Sequence, residues 1–442
     1  MSSTPSSAPV EGVAPLEAPL PPPSRNAPGG TPAGDAPWAH YVLLSALGAV
    51  LGFTLLKGLV TEPHDWAISQ HLLNYAHGFV KRGLPGTLLL PFFAGKDGAV
   101  VRQIIIGVSF AAIVLFTLGT ASATRALVAG RGAGRTPGRD DVAVAFLFAS
   151  SAFVWHTGMC LGYYDSLLAV LSLLAVRDGR LSLARFVPIA AVAMLVHEAA
   201  SVVLVPVLLL AALDPGRPGL AVDRRMAVRL LAVLGALAVL ALCIFTSRPT
   251  DALHASMLQW GATPPRWVDI VNELLKWSLP QLLQRISEHQ DLPQIYARGL
   301  ISFLPTTFLM MALGVARLWR SGLEQRARWT WAAVYAVASC SSLALVLIAF
   351  DFSRLFSLTH LQAFLAYAVL RSQLERRPGT APLPVREAGW GLPALAALLV
   401  VANLLMPARF TFMEPMPRFL PAGVEPWLVD PLGLLGDRLL RR

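Results

Sequence analysis

Apolar residues run along this chain in long unbroken stretches. Ile104–Thr120, Met226–Phe245 and Trp331–Phe350 are each long enough to cross roughly 30 Å of hydrocarbon as α-helices. The strands of a membrane β-barrel would be half as long and would alternate, and nothing here alternates. In chain order the predicted spans are Tyr41–Val60, Val100–Val128, Val142–Trp155, Tyr164–Val176, Phe186–Leu213, Met226–Phe245, Leu300–Leu318, Trp331–Phe350, Leu355–Leu370 and Leu392–Met406. Phe186–Leu213 supports two readings. It forms either one tilted helix with His197 and Glu198 buried midway, or two short helices meeting at that polar pair. Basic residues flank it on both sides, with Arg177, Arg180 and Arg185 before it and Arg217, Arg224, Arg225 and Arg229 after it. The hairpin reading puts every basic cluster on one side, as the positive-inside rule requires. The expected fold is thus an all-α polytopic membrane protein of about eleven transmembrane helices, including one short hairpin pair, with a cytoplasmic amino terminus.

Composition agrees with that pattern, at 55% hydrophobic and 14% charged residues. The net charge of +10 is spread over helix ends rather than gathered into one patch, which argues against nucleic acid as a partner. Three scattered cysteines give neither a disulfide framework nor a thiolate metal site. Residues 1–39 are rich in Pro, Ser, Ala and Gly and read as a disordered cytoplasmic tail. Residues 40–406 form the transmembrane domain, with outer loops at 61–99 and 248–298, and 407–442 an extracytoplasmic tail. Within 248–298, Trp267, Ile270, Val271, Leu274 and Leu275 recur at helical spacing. Leu279, Leu282, Leu283 and Ile286 continue the pattern, so two amphipathic helices are expected on the outer leaflet.

Under this topology the informative polar residues share the outer side. Asp65, with Glu62 beside it, lies just past the first span, where a carboxylate serves as a general base or helps hold a divalent cation. The alternative is a solvated acid that balances Lys57 and Lys81. Lys81 and Arg82 stand among Gly78, Gly83 and Gly86, on the side where positive charge is normally depleted. They suit a phosphate or a pyrophosphate, or else anionic headgroups. Asp165 is a carboxylate at the mouth of a span, where a helix cap is the simplest role. His197 and Glu198 are ionisable groups within an apolar segment, which usually face a cavity or a partner. Asp351 and Arg354, three residues apart, form either a local ion pair or a phosphate contact. No HExxH, paired CxxC, Walker loop or GxSxG elbow occurs, which removes support for zinc proteolysis, P-loop chemistry and elbow-type acyl transfer.

The layout resembles the GT-C class of integral-membrane glycosyltransferases. The resemblance is architectural, spans most of residues 40–406, and rests on Asp65 (with Glu62 as rival), the His197–Glu198 apex and the helical loop at 251–298. It implies sugar transfer from a polyprenyl-phosphate donor to an extracytoplasmic glycan, lipid or protein. In that scheme Asp65 is the base, and Lys81, Arg82 or Arg354 neutralise the departing phosphate. Asp165, His197, Glu198 and Asp351 complete the binding cleft. The implied partners are a lipid-linked sugar, membrane lipids and the acceptor. A divalent cation is the only cofactor left open. The chain departs from the class in offering no second acid in the first loop except Glu62, and no large soluble carboxyl-terminal domain. A polymerase or ligase acting on lipid-linked glycans shares these features. A transporter or flippase using His197 and Glu198 is the rival of a different class. Ala-, Arg-, Gly- and Pro-heavy usage points to a GC-rich bacterium and its inner membrane.

Overall fold

The computed structural model describes residues 37–59, 63–128, 138–176, 183–212, 224–288, 292–346, 352–375 and 391–405. Among these every regular element is a helix. The chain opens with α1 (Pro37–Gly58), the short α2 (Asp65–Gln70), α3 (Gly83–Phe93) and α4 (Gly98–Val128). There follow α5 (Arg139–Ala149), α6 (Ala152–Met159), α7 (Asp165–Ala175), α8 (Leu183–Val196), α9 (Ala200–Ala212) and α10 (Arg224–Thr246). A surface group comes next: α11 (Asp251–Trp260), α12 (Pro265–Lys276) and α13 (Leu279–Ser287). The last elements are α14 (Leu292–Trp319), α15 (Gln325–Cys340), the single turn α16 (Leu343–Val346), α17 (Phe352–Glu375) and α18 (Gly391–Leu405). Among the described residues, five segments are long and apolar enough to cross a membrane: Ala39–Gly58, Gly98–Val128, Arg139–Met159, Ala227–Thr246 and Gly299–Trp319. The chain is therefore an all-helical protein consistent with a polytopic membrane protein.

Several expected spans take a different form. The third expected span starts as α5, breaks at Ser150–Ser151 and continues as α6, which carries His156 inside the bundle at 1% exposure. Within the span expected over Trp331–Phe350, α15 ends at Cys340 and the single turn α16 follows. There Gln362 on α17 accepts the Ser342 N–H at 2.8 Å and donates to the Val202 carbonyl at 3.1 Å, so side chains satisfy backbone groups that a continuing helix would have paired. The loop expected at 61–99 holds two helices, α2 and α3.

α17 is the axis of the main core, packed between α14, α15 and α9. Its ordering defines two ends of the bundle. Near its start Arg354 meets His197 at 3.0 Å, farther along Gln362 meets Val202, and near its finish Gln373 meets the Ala211 carbonyl at 2.6 Å. Hence α9 descends beside α17. α8 packs along α7, which also descends from the Arg354 level, so α8 and α9 lie on the same side of the polar pair that joins them. From Arg354 to Arg371 an α-helix rises about 25 Å, close to the thickness of a hydrocarbon core.

α1 crosses α6 at two glycines. A Cβ on Gly58 would sit 2.0 Å from the Trp155 carbonyl oxygen, and Gly158 meets the Gly58 backbone in turn. Small residues permit such close contact between apolar helices. A second, smaller core lies beyond the bundle, where Ile68, Leu73, Phe93, Ile105, Met257 and Val271 from α2 to α4, α11 and α12 come together. The loop at 248–298 thus forms three helices rather than two. The apolar stripe of α12 (Val268, Val271, Leu275) is buried in this second core, with α12 against α2, rather than turned toward lipid.

Candidate functional site

The site is built where α2, the turn before α3, the α6–α7 turn and the α8–α9 apex meet the start of α17. Arg82 is central. Its backbone is left-handed (φ 63°), the only positive φ at a non-glycine residue among those described. A conformation of this kind costs on the order of 1 kcal/mol or more and persists where surrounding contacts enforce it. Those contacts are present: Arg82 Nε donates to Glu198 Oε2 at 2.8 Å, Nη2 pairs with Glu198 Oε1, and Nη1 reaches Gln70 Oε1 at 3.3 Å. The two-pronged pair locks the 78–83 turn onto the α8–α9 apex.

The glycines around it serve the chain itself. A Cβ on Gly86 would fall 1.9 Å from the Leu73 carbonyl oxygen, and one on Gly83 would fall 2.4 Å from the Tyr75 ring. They let α3 close against the turn after α2, which brings Lys81 and Arg82 to the apex. Lys81 donates its backbone N–H to Ser247 Oγ at 3.0 Å, at the end of α10. Among the described residues its ammonium forms no ion pair, although Glu198 is near enough to act on it electrostatically. Burial holds that ammonium below the usual lysine range, Glu198 opposes the fall, and Arg82 and Arg248 add to it.

His197 and Arg354 extend the cluster. Arg354 is not in an outer turn; it is the third residue of α17, 6% exposed, with Nε 2.9 Å from Asp165 Oδ2 and its guanidinium 4.7 Å from the centre of the Tyr163 ring. Asp165 is accordingly an ion-pair partner at the first position of α7, with Tyr164 rather than Asp165 at the cap. Nη2 of Arg354 faces His197 Nε2 at 3.0 Å, while the Ala199 N–H faces Nδ1 at 3.1 Å. A neutral imidazole has one lone pair to offer. The Ala199 N–H and the Arg354 guanidinium are both donors, so that one lone pair can accept from only one of them; Nδ1 also lies 3.7 Å from Glu198 Oε2. Arg82, Glu198, His197, Arg354 and Asp165 thus form one contiguous chain of contacts.

Asp65 stands slightly apart. It opens α2, and its carboxylate pairs with Arg102 on α4, which also reaches the Ala262 carbonyl at 3.4 Å. Five residues of helix place it about 7–8 Å along the axis from Gln70. At 23% side-chain exposure it is the most open of the three carboxylates, against 15% for Glu198 and 4% for Asp165. Glu62 and Asp351 lie outside the described residues. Among those described, no three His, Cys, Asp or Glu residues are grouped closely enough to hold a metal ion.

Sequence reasoning passed over Gln70, His71 and Arg102. The Ser69-Gln-His triplet, polar and set between Ile68 and Leu72, was a readable signal for the first two. No protein-family model, curated protein or solved structure matches the chain. Class assignment therefore rests on the molecule: helices, among the described residues, of which some are long and apolar enough to cross a membrane, and a cluster of ion-paired arginines at one end of the bundle.

Proposed function

We propose that the protein is a multi-pass bacterial inner-membrane glycosyltransferase of GT-C type, moving a sugar from a polyprenyl-phosphate donor to an extracytoplasmic acceptor. The observation that carries this reading is the charge balance of the cluster: Lys81, Arg82 and Arg354 against Glu198 and Asp165, with the Lys81 ammonium outside every ion pair among the described residues. One surplus cation beside a braced arginine suits a monoanionic phosphodiester. In this reading the basic ends opposite the cluster are cytoplasmic, α8 and α9 are the hairpin, and the spans number about eleven.

The reaction would be a displacement at the anomeric carbon. The acceptor oxygen forms the new bond, the carbon–oxygen bond to phosphate breaks, and its electron pair leaves on the phosphate. Asp65, the most accessible carboxylate, takes the acceptor proton. Lys81, assisted by Arg82 and Arg354, stabilises the phosphate charge as it develops. A polymerase or ligase using lipid-linked glycans would employ the same groups.

Transport is favoured by a different observation. Polar side chains are buried among the helices, with Lys57 Nζ donating to the Asn403 and Leu404 carbonyls at 3.4 and 3.3 Å and His360 bonded to Phe303 O at 2.7 Å. Cells carrying Asp65→Asn, matched to wild type for membrane expression, separate the two. Loss of one glycan with accumulation of its lipid-phosphate sugar supports transfer. An unchanged glycan profile, with solute uptake abolished by Lys57→Met, would replace transfer with transport.

A further inference from the structure

Two polar atoms beside Arg82 are buried without a hydrogen-bond partner among the described residues: Gln70 Nε2 and His71 Nδ1, on side chains 1% and 2% exposed. Their identities follow from their neighbours. Arg82 presents only donors, so the Gln70 oxygen faces it and the amide N–H₂ is the group left over. The Gly162 carbonyl can only accept, so His71 carries its proton on Nε2, 2.8 Å away, and Nδ1 is left as a bare acceptor. Burial pushes the His71 ring down to about 4, against the pull of that carbonyl, so the ring is neutral near pH 7. The α6–α7 turn fixes both residues. Tyr164 donates to the Gln70 carbonyl at 2.8 Å and its ring meets the His71 ring edge-on at 4.7 Å, while the adjoining Tyr163 lies against Arg354.

An unfilled donor and an unfilled acceptor on consecutive residues together suit a hydroxyl group, since it accepts one bond and donates another. An anion would use the donor and be repelled by the acceptor's lone pair. We infer that Gln70 and His71 form a hydroxyl-recognition subsite adjoining the Lys81–Arg82 cations, and that it takes the sugar of the donor while the cations take the phosphate. This rests on the transferase reading and assigns the sugar its residues.

The test is binding to purified full-length protein in nanodiscs, using bare polyprenyl phosphate and a panel of polyprenyl-phosphate hexoses and pentoses. Two neutral hydrogen bonds amount to about a tenfold gain. Wild type is expected to bind at least one sugar-bearing lipid about tenfold more tightly than the bare phosphate. His71→Gln keeps a donor for Gly162 and loses the Nδ1 acceptor, so it should erase that ratio. His71→Asn, which places an oxygen near Nδ1, should retain part of it, and both variants lose the ring equally. Gln70→Glu keeps an acceptor for Arg82, replaces the donor, and should also erase the ratio. Equal wild-type affinity for bare and sugar-bearing lipids overturns the subsite, leaving the two atoms to a buried water only. So does a ratio unchanged in His71→Gln and Gln70→Glu. Failure of wild type to bind either kind of lipid overturns the transferase reading, and the subsite with it.

Discussion

At one end of α17, Arg371 joins Asp141, Arg317 and Glu375; at the other, Arg354 joins Asp165 and His197. The first group is balanced in charge among the described residues, although Asp140 Oδ1 is buried there without a hydrogen-bond partner. Arg317, Arg320 and Arg371 are matched by Asp140, Asp141 and Glu375, and Tyr367 adds a hydrogen bond to Asp141 at 2.8 Å. Among the described residues the second is not: Lys81 has no ion-pair partner, Arg82 is left-handed, and Gln70 Nε2 and His71 Nδ1 lack hydrogen bonds. Charges that exist to hold helices together can be satisfied within the chain. Charges that await a ligand cannot, and the contrast between the ends separates the two uses.

The comparison breaks most sharply at Asp141. Asp141→Ala leaves Arg317 and Arg371 short of their shared carboxylate. It should cost about 3–5 kcal/mol of stability, visible as a large fall in melting temperature in detergent, with little change in lipid-phosphate affinity for the fraction that stays folded. Gly86→Ala comes next. Its Cβ would meet the Leu73 carbonyl, which is backbone and has little room to yield. A loss of about 1–3 kcal/mol is expected, concentrated in the 71–93 region and detectable as faster proteolysis there. Arg82→Lys keeps the charge and loses the two-pronged bond to Glu198, a change of about 1–2 kcal/mol in stability. Its lipid-phosphate affinity should fall as well, which binding to nanodisc-held protein would measure. The smallest stability effect belongs to Lys81→Ala, below about 0.5 kcal/mol by thermal unfolding, because its ammonium holds no partner among the described residues.

Much of this contrast could be read from the chain. The run lengths specify helices, and the polar residues Arg82, Asp165, His197, Glu198 and Arg354 stand out because charges inside or beside apolar runs are costly. Their mutual contacts required tertiary structure. Asp165 has the local pattern of a cap, and only the approach of α17 makes it an ion-pair partner of Arg354. The end of α15 was hidden for a related reason: its partner, Gln362, lies 20 residues further on. Hydropathy resumes after Ser341–Ser342 and continues through Phe350, so the run as a whole reads as one span. α12 shows the limit of amphipathic patterning, which identifies an apolar stripe without saying whether lipid or protein covers it. Gln70 and His71 were overlooked although the polar Ser69-Gln-His triplet pointed to them, because neutral polar residues stand out less beside apolar runs than charges do.

The central claim, that the Arg354 end of α17 holds an anionic lipid phosphate, is tested most directly by polyprenyl-phosphate binding to wild type and Lys81→Ala in nanodiscs, with melting temperatures recorded on the same samples. The account predicts an affinity lower by about ten- to a hundredfold, the worth of one charge-assisted contact, at an unchanged melting temperature. Equal affinity, or a melting temperature lowered as far as in Asp141→Ala, would contradict it and make the two ends of α17 alike.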